Sequence, residues 1–465
     1  MKRIPALLLI FSFVLALAAC AEKPPASIET DELTTPVTEA PAAEKLTIAT
    51  ADGTDYVIVI SDDCESYLSI IAGDIKGACY AKTSKHLWVK RSNTFKNTDC
   101  EILIGDTGRP ESDKAAEGLK ETEYRITVIG KKLVVAGGSD YAAYKAAIFL
   151  CNEFFESEGD KVEIPMNYDI KGEVDVSTMT VISSIEKLRD PCIVVENGVY
   201  YAYGTGWHCY KNTSGELSGK WSDLGVCVTV PETCLGDKWA PEVHKYNGAF
   251  YMFTTYKSSE TNKRGCTILK ADDPTGPFVE ITDGIVTPHE WDCIDGTLYV
   301  DETGQPWMVF VHEWVSAPGN IGTFAAAKLS DDLTHFISEP FELFAANEPS
   351  WATGNVTDGC WMYTTEDGQL LMLWSNTSKW GYCVGISRSS NGRLDGKWTH
   401  DEKLLFSKEY TGDYDGGHGM LFKALNGQTY LAVHSPNSEK AGRKETPIFV
   451  PVVEKNGTLV WADKQ

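Results

Sequence analysis

The chain has 465 residues, enough for two or three domains, and a formal net charge of −24 at pH 7. This acidity argues against a nucleic acid or an anionic membrane surface as binding partner, because both favour a basic protein face. Hydrophobic residues make up 43% and aromatic residues 11% of the chain, as in a folded protein. A neutral oligosaccharide or polysaccharide is compatible with this charge.

The N-terminus has the features of an export signal. A basic start, Met1-Lys2-Arg3, precedes an apolar run from Ala6 to Ala19 that is too short for a membrane-spanning helix. The run ends in Leu17-Ala18-Ala19-Cys20, which resembles a bacterial lipobox. We therefore expect residues 1–20 to be a lipoprotein signal peptide, Cys20 to be lipidated, and the protein to be anchored outside the cytoplasm at the cell surface. An ordinary secretory signal is the alternative.

Twelve cysteines follow Cys20, and none of them belongs to a C-x-x-C pair. A zinc site therefore has little support. Export permits disulfides, but the spacing of these cysteines assigns none.

Two segments with different composition follow the signal. Residues 21–45 are rich in Pro, Thr, Ala and Glu and predict a disordered linker. Residues 46–172 predict a small α+β accessory domain, because strand-like and helix-like apolar patterns both occur in them. Its predicted strands are 56–60, 100–104, 124–128 and 133–136, and its predicted helices are 67–81 and 141–155. A structural role is expected, with an independent binding module as the alternative.

One hairpin unit then recurs five times between residues 178 and 462, at a spacing of roughly 50–60 residues. The turns of the five copies are Asn197-Gly198, Asn247-Gly248, Thr303-Gly304, Asp367-Gly368 and Asn426-Gly427. Each turn lies between two short runs of apolar and aromatic residues, which is typical of a β-hairpin. The repeat predicts an all-β fold, a five-bladed β-propeller, which we expect to be monomeric.

Polar residues mark the start of each hairpin. The innermost strands of a propeller run beside its axis, so these residues can point into a common funnel. They are Asp190, Glu242 (one step inside its strand), Asp295, Asp358 and His418. A single acid at a strand entrance usually forms a turn, but three acids at equivalent positions indicate a functional cluster. Such a cluster suits glycoside hydrolysis, in which one carboxylate activates water and another protonates the leaving oxygen.

The order and spacing of four motifs resemble glycoside hydrolase family 43. They are Arg189-Asp190-Pro191, Trp239-Ala240-Pro241-Glu242-Val243, Cys293-Ile294-Asp295-Gly296-Thr297-Leu298 and Val356-Thr357-Asp358-Gly359, and Asp415-Gly416-Gly417-His418-Gly419-Met420 strengthens the match. The resemblance implies a five-bladed propeller and inverting hydrolysis of plant-type glycans, as an α-L-arabinofuranosidase or a β-xylosidase. The segment 104–112 in turn resembles part of the small domain that precedes the catalytic domain in exported hexosaminidases and α-glucuronidases.

The resemblance also implies catalytic roles. Asp190 matches the general base, and Asp295 matches the residue that orients the acid and tunes its pKa. The third family carboxylate is usually a Glu followed by Gly, and the matching residue here is Asp358, which is shorter by one methylene. Glu348 and Glu242 are the alternative acids.

The expected substrate-binding residues are Trp207, Trp239, Glu242, Trp291 and His418, with Trp314 as a further candidate sugar platform. His418 resembles a family histidine that often lies beside a bound calcium ion, so a Ca²⁺ site with His418 as metal residue is one expectation. A hydrogen-bonded core histidine is the other, since calcium prefers oxygen ligands.

Two other functional classes are alternatives to a family 43 glycoside hydrolase. A fructan-cleaving propeller enzyme also uses an Arg-Asp-Pro segment, but the Glu-Cys acid motif expected of it is absent from this sequence. A non-catalytic glycan-binding surface lipoprotein remains an alternative, because Asp358 departs from the family pattern. The presence of both Asp190 and Asp295 favours the enzyme.

Overall fold

The computed structural model describes residues 44–174, 179–411, 414–439 and 442–462. The predicted signal peptide, with Cys20, and the predicted linker up to residue 43 lie outside these ranges. The first strand begins at Lys45, the last residue assigned to that linker. Within the described ranges, no helix is both long and apolar enough to cross a membrane.

The N-terminal part of the described chain combines strands and helices. Its elements are β1 (Lys45–Ala49), β2 (Val57–Ile60), α1 (Ser66–Thr83), β3 (Trp88–Arg91), β4 (Glu101–Ile104), α2 (Pro110–Ala116), β5 (Glu123–Ile129), β6 (Lys132–Gly137), α3 (Asp140–Leu150), β7 (Val162–Pro165) and β8 (Asp169–Glu173). A single π-helical turn at Cys151–Phe155 extends α3. The predicted α+β domain is confirmed, and each of its predicted strands and helices is present.

Six of these strands form one mixed sheet in the order β3-β2-β4-β6-β5-β8, and β1 pairs separately with β7. Alternate residues of the parallel strands face opposite sides, as the two-residue period of a strand requires. Ile102 and Val135 pack under α1 and α3, whereas Leu103 and Val134 pack against Ala115 of α2. The sheet therefore has helices on both faces.

The remaining strands form five sheets around a common axis, after the short strand β9 (Val181–Ile182). Blade 1 contains β10 (Cys192–Glu196), β11 (Val199–Gly204), β12 (His208–Asn212) and β13 (Ser222–Val226). Blade 2 contains β14 (Cys234–Tyr246), β15 (Ala249–Ser258), β16 (Arg264–Ala271) and β17 (Val279–Glu280). Blade 3 contains β18 (Cys293–Val300), β19 (Pro306–His312), β20 (Thr323–Lys328) and β21 (Phe341–Ala345).

Blade 4 contains β22 (Asp358–Thr364), β23 (Leu370–Ser378), β24 (Gly381–Ser389) and β25 (Trp398–His400). The short helix α4 (Lys408–Thr411) leads to blade 5, which contains β26 (Gly417–Lys423), β27 (Thr429–Ser435), β28 (Thr446–Lys455) and β29 (Thr458–Trp461). A short 3₁₀ turn at Pro318–Asn320 precedes β20. The predicted five-bladed propeller is confirmed.

The ring is closed by pairing between its first and last strands. Val181 and Ile182 of β9 pair with Phe449 and Ile448 of β28. A strand from the start of the propeller therefore completes the last blade, and no blade edge is left to separate at this junction.

The Asn-Gly hairpins of blades 1 and 2 follow the turn chemistry that predicted them. Asn197 and Gly198 have φ of +49° and +72°, and Asn247 and Gly248 have φ of +48° and +82°. A two-residue turn with positive φ at both positions matches the right-handed twist of the flanking strands, and Asn and Gly tolerate it best.

The α+β domain contacts the propeller through α3. The Tyr141 hydroxyl donates to Glu216 Oε1 at 2.9 Å, and the Tyr144 hydroxyl donates to the carbonyl oxygen of Ser214 at 2.8 Å. Both partners lie in the loop that joins β12 to β13, at the propeller face opposite to the starts of the innermost strands. The twelve cysteines from Cys64 to Cys383 are all free thiols.

Candidate active site

Left-handed backbone geometry occurs at one axial residue of each blade, within the innermost strand or, in blade 1, two residues before it. These axial residues are Asp190, Ala240, Asp295, Gly359 and His418, with φ of +55°, +41°, +55°, +47° and +54°. In blades 2 to 5 the strand pairing is interrupted just at this point, as in a β-bulge. A bulge bends the strand and redirects a side chain, and left-handed geometry at residues other than glycine is strained. The repeat thus directs these side chains toward the axis.

The backbone N–H of each axial residue is held by a side chain of the preceding blade. The four acceptors on second strands, or directly after them, are Thr205 Oγ1 for Ala240 (3.1 Å), Thr255 Oγ1 for Asp295 (2.9 Å), Ser375 Oγ for His418 (2.8 Å) and His434 Nδ1 for Asp190 (3.2 Å). In blade 4 the Gly359 N–H donates to Asp295 Oδ2 at 2.8 Å. This ring of bonds fixes the strained backbone on which the acids stand.

The expectation that Asp190, Asp295 and Asp358 occupy equivalent positions is wrong for Asp358. The axial residue of blade 4 is Gly359, and Asp358 precedes it by one position. A side chain at Gly359 would force the His418 ring to move, because its Cβ would lie 2.9 Å from Cγ and Cδ2 of that ring. Asp358 nevertheless reaches the same cavity as the other two acids.

A cavity of about 480 Å³ opens around these residues. Its walls include Asp190, Asp295, Asp358, His418 and Trp239. The structure therefore brings together three predicted acids, the predicted histidine and two of the predicted tryptophans, Trp239 and Trp314.

Asp190 is the most firmly held of the three acids. Its Oδ2 accepts the Thr205 hydroxyl at 2.5 Å, and its Oδ1 lies 3.4 Å from His418 Nδ1 and 3.6 Å from Arg189 Nε. Burial opposes ionisation, but His418 and Arg189 together with the Thr205 hydroxyl bring the pKa of Asp190 below its ordinary value. Asp190 is therefore an ionised carboxylate at neutral pH.

Asp295 and Asp358 have the opposite electrostatic character. Burial, with the charge of Asp358 nearby, raises the pKa of Asp295 to about 7. Burial, with the charge of Asp190 nearby, raises the pKa of Asp358 to about 6. The Tyr382 hydroxyl donates to Asp358 Oδ2 at 3.0 Å, and burial and the nearby acids keep the pKa of Tyr382 well above its ordinary value. Asp295 and Asp358 together can hold a proton near neutral pH, as a general acid must.

His418 lies between the acids. Its Nδ1 is 3.4 Å from Asp190 Oδ1 and 3.8 Å from Asp295 Oδ2. Burial would lower the pKa of His418, but the surrounding carboxylates raise it above its ordinary value. Among the described residues, no group of three or more His, Cys, Asp or Glu side chains is arranged to hold a metal ion. The residues around His418 thus do not form a calcium ligand set, and its metal role stays a prediction.

His434 is a site residue that the sequence reasoning missed. Burial lowers its pKa to about 4, so the ring is neutral. Its Nδ1 accepts the Asp190 N–H, and its Nε2 lies 3.3 Å from Asn437 Oδ1. Asn437 in turn accepts from both terminal nitrogens of Arg189, at 2.8 and 3.0 Å. Comparing where the second strand of each copy ends would have revealed His434 together with Thr205, Thr255 and Ser375.

Three predicted binding residues lie outside the cavity wall. The Trp207 ring is fully buried and donates to Thr254 Oγ1 at 2.7 Å, so its proposed role as a sugar platform is wrong. Trp291 stacks on His312 with ring centroids 4.1 Å apart. Glu242 is buried and contacts His244 at 3.3 Å.

The alternative acid Glu348 lies in the turn after β21. Its Oε1 accepts the Ala345 N–H at 2.8 Å, and its side chain is 48% exposed. The cavity wall instead includes Glu313 and Trp314, which directly follow β19. Glu313 was missed because it belongs to no hairpin start.

Comparison with known proteins finds one matching family model and several similar proteins. The family model "Glycosyl hydrolases family 43" matches residues 181–452. The chain is 30% identical over 263 residues to a probable arabinan endo-1,5-α-L-arabinosidase C of Aspergillus niger, covering 53% of this chain and 74% of that protein. It is 29% identical over 162 residues to an extracellular exo-α-(1→5)-L-arabinofuranosidase of Cellvibrio japonicus, covering 32% of this chain and 45% of that protein.

A solved structure of an arabinan-degrading enzyme is also similar to this chain. The endo-arabinase of Bacteroides thetaiotaomicron superposes with a TM-score of 0.53 at 35% sequence identity, covering 60% of this chain and 98% of that chain. The match spans a propeller-sized part of this chain.

Proposed function

The chain belongs to glycosyl hydrolases family 43, and from this premise we propose that it hydrolyses α-L-arabinofuranosyl linkages of plant-type glycans with inversion. The family and the glycosidase class expected from the sequence are both confirmed. The convergence of Asp190, Asp295 and Asp358 in one cavity carries the proposal. The similar proteins described above, two arabinanases and an arabinofuranosidase, favour arabinose over xylose.

Asp190 acts as the general base in this proposal. Its carboxylate is ionised and fixed by Thr205 and by the backbone bond to His434, so it can deprotonate one water molecule in a defined position. Inversion then follows from attack of that water on the face of the sugar opposite to the leaving group.

Asp358 acts as the general acid, and Asp295 is a positioning residue. Asp295 Oδ2 accepts the Gly359 N–H, so it fixes the backbone of the residue next to the acid. Burial and the charge of Asp190 disfavour ionisation of Asp358. The Tyr382 hydroxyl occupies Asp358 Oδ2, which leaves Oδ1 to deliver the proton to the departing oxygen.

Hydrolysis of nitrophenyl α-L-arabinofuranoside, β-D-xyloside and β-D-galactoside, together with α-1,5-arabino-oligosaccharides, tests the substrate class. Proton NMR of the first product anomer tests inversion. Turnover of the xyloside alone would reassign the sugar. Oligosaccharide binding without any turnover would establish the glycan-binding alternative.

We also propose that the protein is exported and lipid-anchored at the cell surface. The motif ending in Cys20 supports the anchor, and the extracellular relative supports export. Metabolic labelling with a fatty-acid probe should mark the wild type and not Cys20→Ser. Equal labelling of both would refute Cys20 as the lipidation site.

A further inference from the structure

One wall of the cavity is built around a guanidinium group that takes no part in the mechanism above. Arg264, the first residue of β16, donates from Nε and Nη2 to the two carboxylate oxygens of Glu313 at 2.7 and 2.9 Å. Its Nη1 donates to Asp237 at 3.3 Å. The same guanidinium lies over the Trp239 ring, with Cζ 5.1 Å from the ring centroid.

Two of the three partners of Arg264, Trp239 and Glu313, line the catalytic cavity. Trp239 directly precedes the axial residue Ala240, and Glu313 is followed by Trp314, a further wall residue. Glu313 is only 3% exposed. A buried ion pair of this kind adds little net stability compared with apolar packing, so its place in a cavity wall needs another explanation.

We propose that Arg264 is a positioning residue that fixes Trp239 and Glu313 as a binding subsite for a sugar unit of the arabinan chain next to the cleaved bond. The inference rests on the proposed function. The planar guanidinium can stack on one ring face while holding a carboxylate through two parallel hydrogen bonds, which a lysine cannot do.

The chemistry of this wall fits a sugar. An indole ring offers an apolar face to the C–H groups of a sugar, as aromatic rings do where one side of a ligand is apolar and the other polar. An ionised carboxylate beside it accepts hydrogen bonds from hydroxyl groups. Burial raises the pKa of Glu313 above its ordinary value and the Arg264 guanidinium opposes this shift. The two hydrogen bonds from Arg264 orient the carboxylate so that it can accept from sugar hydroxyls.

A matched pair elsewhere in the propeller separates a binding role from a structural one. Arg388 donates to the two oxygens of Asp401 at 2.6 Å each and to the Gly457 carbonyl at 2.8 Å. Its side chain is 26% exposed, against 20% for Arg264. Arg388 does not line the cavity. Arg264→Met and Arg388→Met therefore remove similar ion pairs, one at the site and one away from it.

We expect Arg264→Met to raise KM for α-1,5-arabinotriose by about tenfold, with kcat within about threefold of wild type. Arg264→Lys should recover only part of that loss, and Arg388→Met should leave KM unchanged. Thermal unfolding of both Met variants, measured in parallel, shows whether they lose comparable stability.

An unchanged KM in Arg264→Met would overturn the inference, and so would an equal loss of kcat on every substrate, including the nitrophenyl arabinofuranoside. If Arg264→Met does not fold, the same KM and kcat measurements are made on Glu313→Gln, which keeps the side-chain size. The same outcomes then support or overturn the inference. If the wild type turns over nothing, the proposed function fails separately. Calorimetric binding of arabinotriose to the same variants then tests the subsite, with about tenfold weaker binding expected.

Discussion

Replacing Gly359 by alanine tests whether the packing of His418 against Gly359 holds the catalytic acids in position. The residue has φ of +47°, and its N–H donates to Asp295 Oδ2. An added Cβ would lie 2.9 Å from two carbons of the His418 ring and 3.1 Å from its Nδ1. The substitution therefore introduces two separate perturbations, a strained backbone and a displaced ring.

The two effects have different sizes. Left-handed geometry costs an alanine roughly 1–2 kcal/mol. The His418 ring must also move by about half an ångström to restore ordinary contact, and forced overpacking of this kind costs roughly 1–3 kcal/mol. His418 Nδ1 contacts Asp190 and Asp295, so this movement disturbs both acids. We expect the free energy of unfolding to fall by about 2–5 kcal/mol and kcat to fall about 10- to 100-fold.

Gly368→Ala is the matched control. Gly368 lies in the hairpin turn of the same blade with φ of +84°, and a Cβ there would meet nothing within 4 Å. It carries the backbone strain without the clash. Denaturant unfolding and kcat on nitrophenyl arabinofuranoside should show lower stability in both variants and lower kcat in Gly359→Ala alone. Wild-type kcat in Gly359→Ala, or an equal loss of kcat in Gly368→Ala, would refute the reasoning.

Three further predictions concern the acids. Asp190→Asn should abolish turnover of every substrate, measured by product release, because the amide cannot take a proton from water. Asp358→Asn should slow arabino-oligosaccharides far more than nitrophenyl glycosides, whose leaving group needs little protonation; the selective pattern in Glu348→Gln instead would move the acid role to Glu348. The kcat/KM profile should fall as pH rises through about 6 to 7, where the raised pKa values of Asp358 and Asp295 place loss of the catalytic proton. Asp295→Asn should shift that fall to lower pH, because it removes the carboxyl of the pair that has the higher pKa, and an unshifted profile would contradict the coupling of Asp295 to Asp358.

The features of the fold that depend on local chemistry could be predicted from the sequence. The Asn-Gly turns of blades 1 and 2 predict positive φ at two adjacent residues, as observed. Five hairpins at a regular spacing leave few architectures other than a propeller. Asp190 and Asp295 could be placed at the axis because the start of each hairpin repeats. These inferences needed only residues close together in the chain.

Features that depend on contacts between blades could not be predicted. Trp207 was expected at a surface, yet the turn at Gly206 and Trp207, with φ of +96° and +64°, directs its ring into the core beside Thr254. Arg264 and Glu313 are 49 residues apart, and neither has a motif of its own. The displacement of Asp358 from the axial position follows from the space that His418 occupies, which only the packed structure reveals.

The distribution of charge around the cavity indicates where the catalytic proton resides. Three buried carboxyl groups face two cationic side chains, His418 and Arg189, and Arg189 also pairs with Glu445 at 2.8 Å. Positive charge is therefore too scarce to balance three ionised acids, and at least one carboxyl keeps its proton. Asp190 has both cations beside it, and Asp295 has His418 and the Gly359 N–H. The proton therefore resides on the pair of Asp295 and Asp358, because burial raises their pKa values to about 7 and about 6, and the Tyr382 hydroxyl contacts only the Asp358 member of the pair.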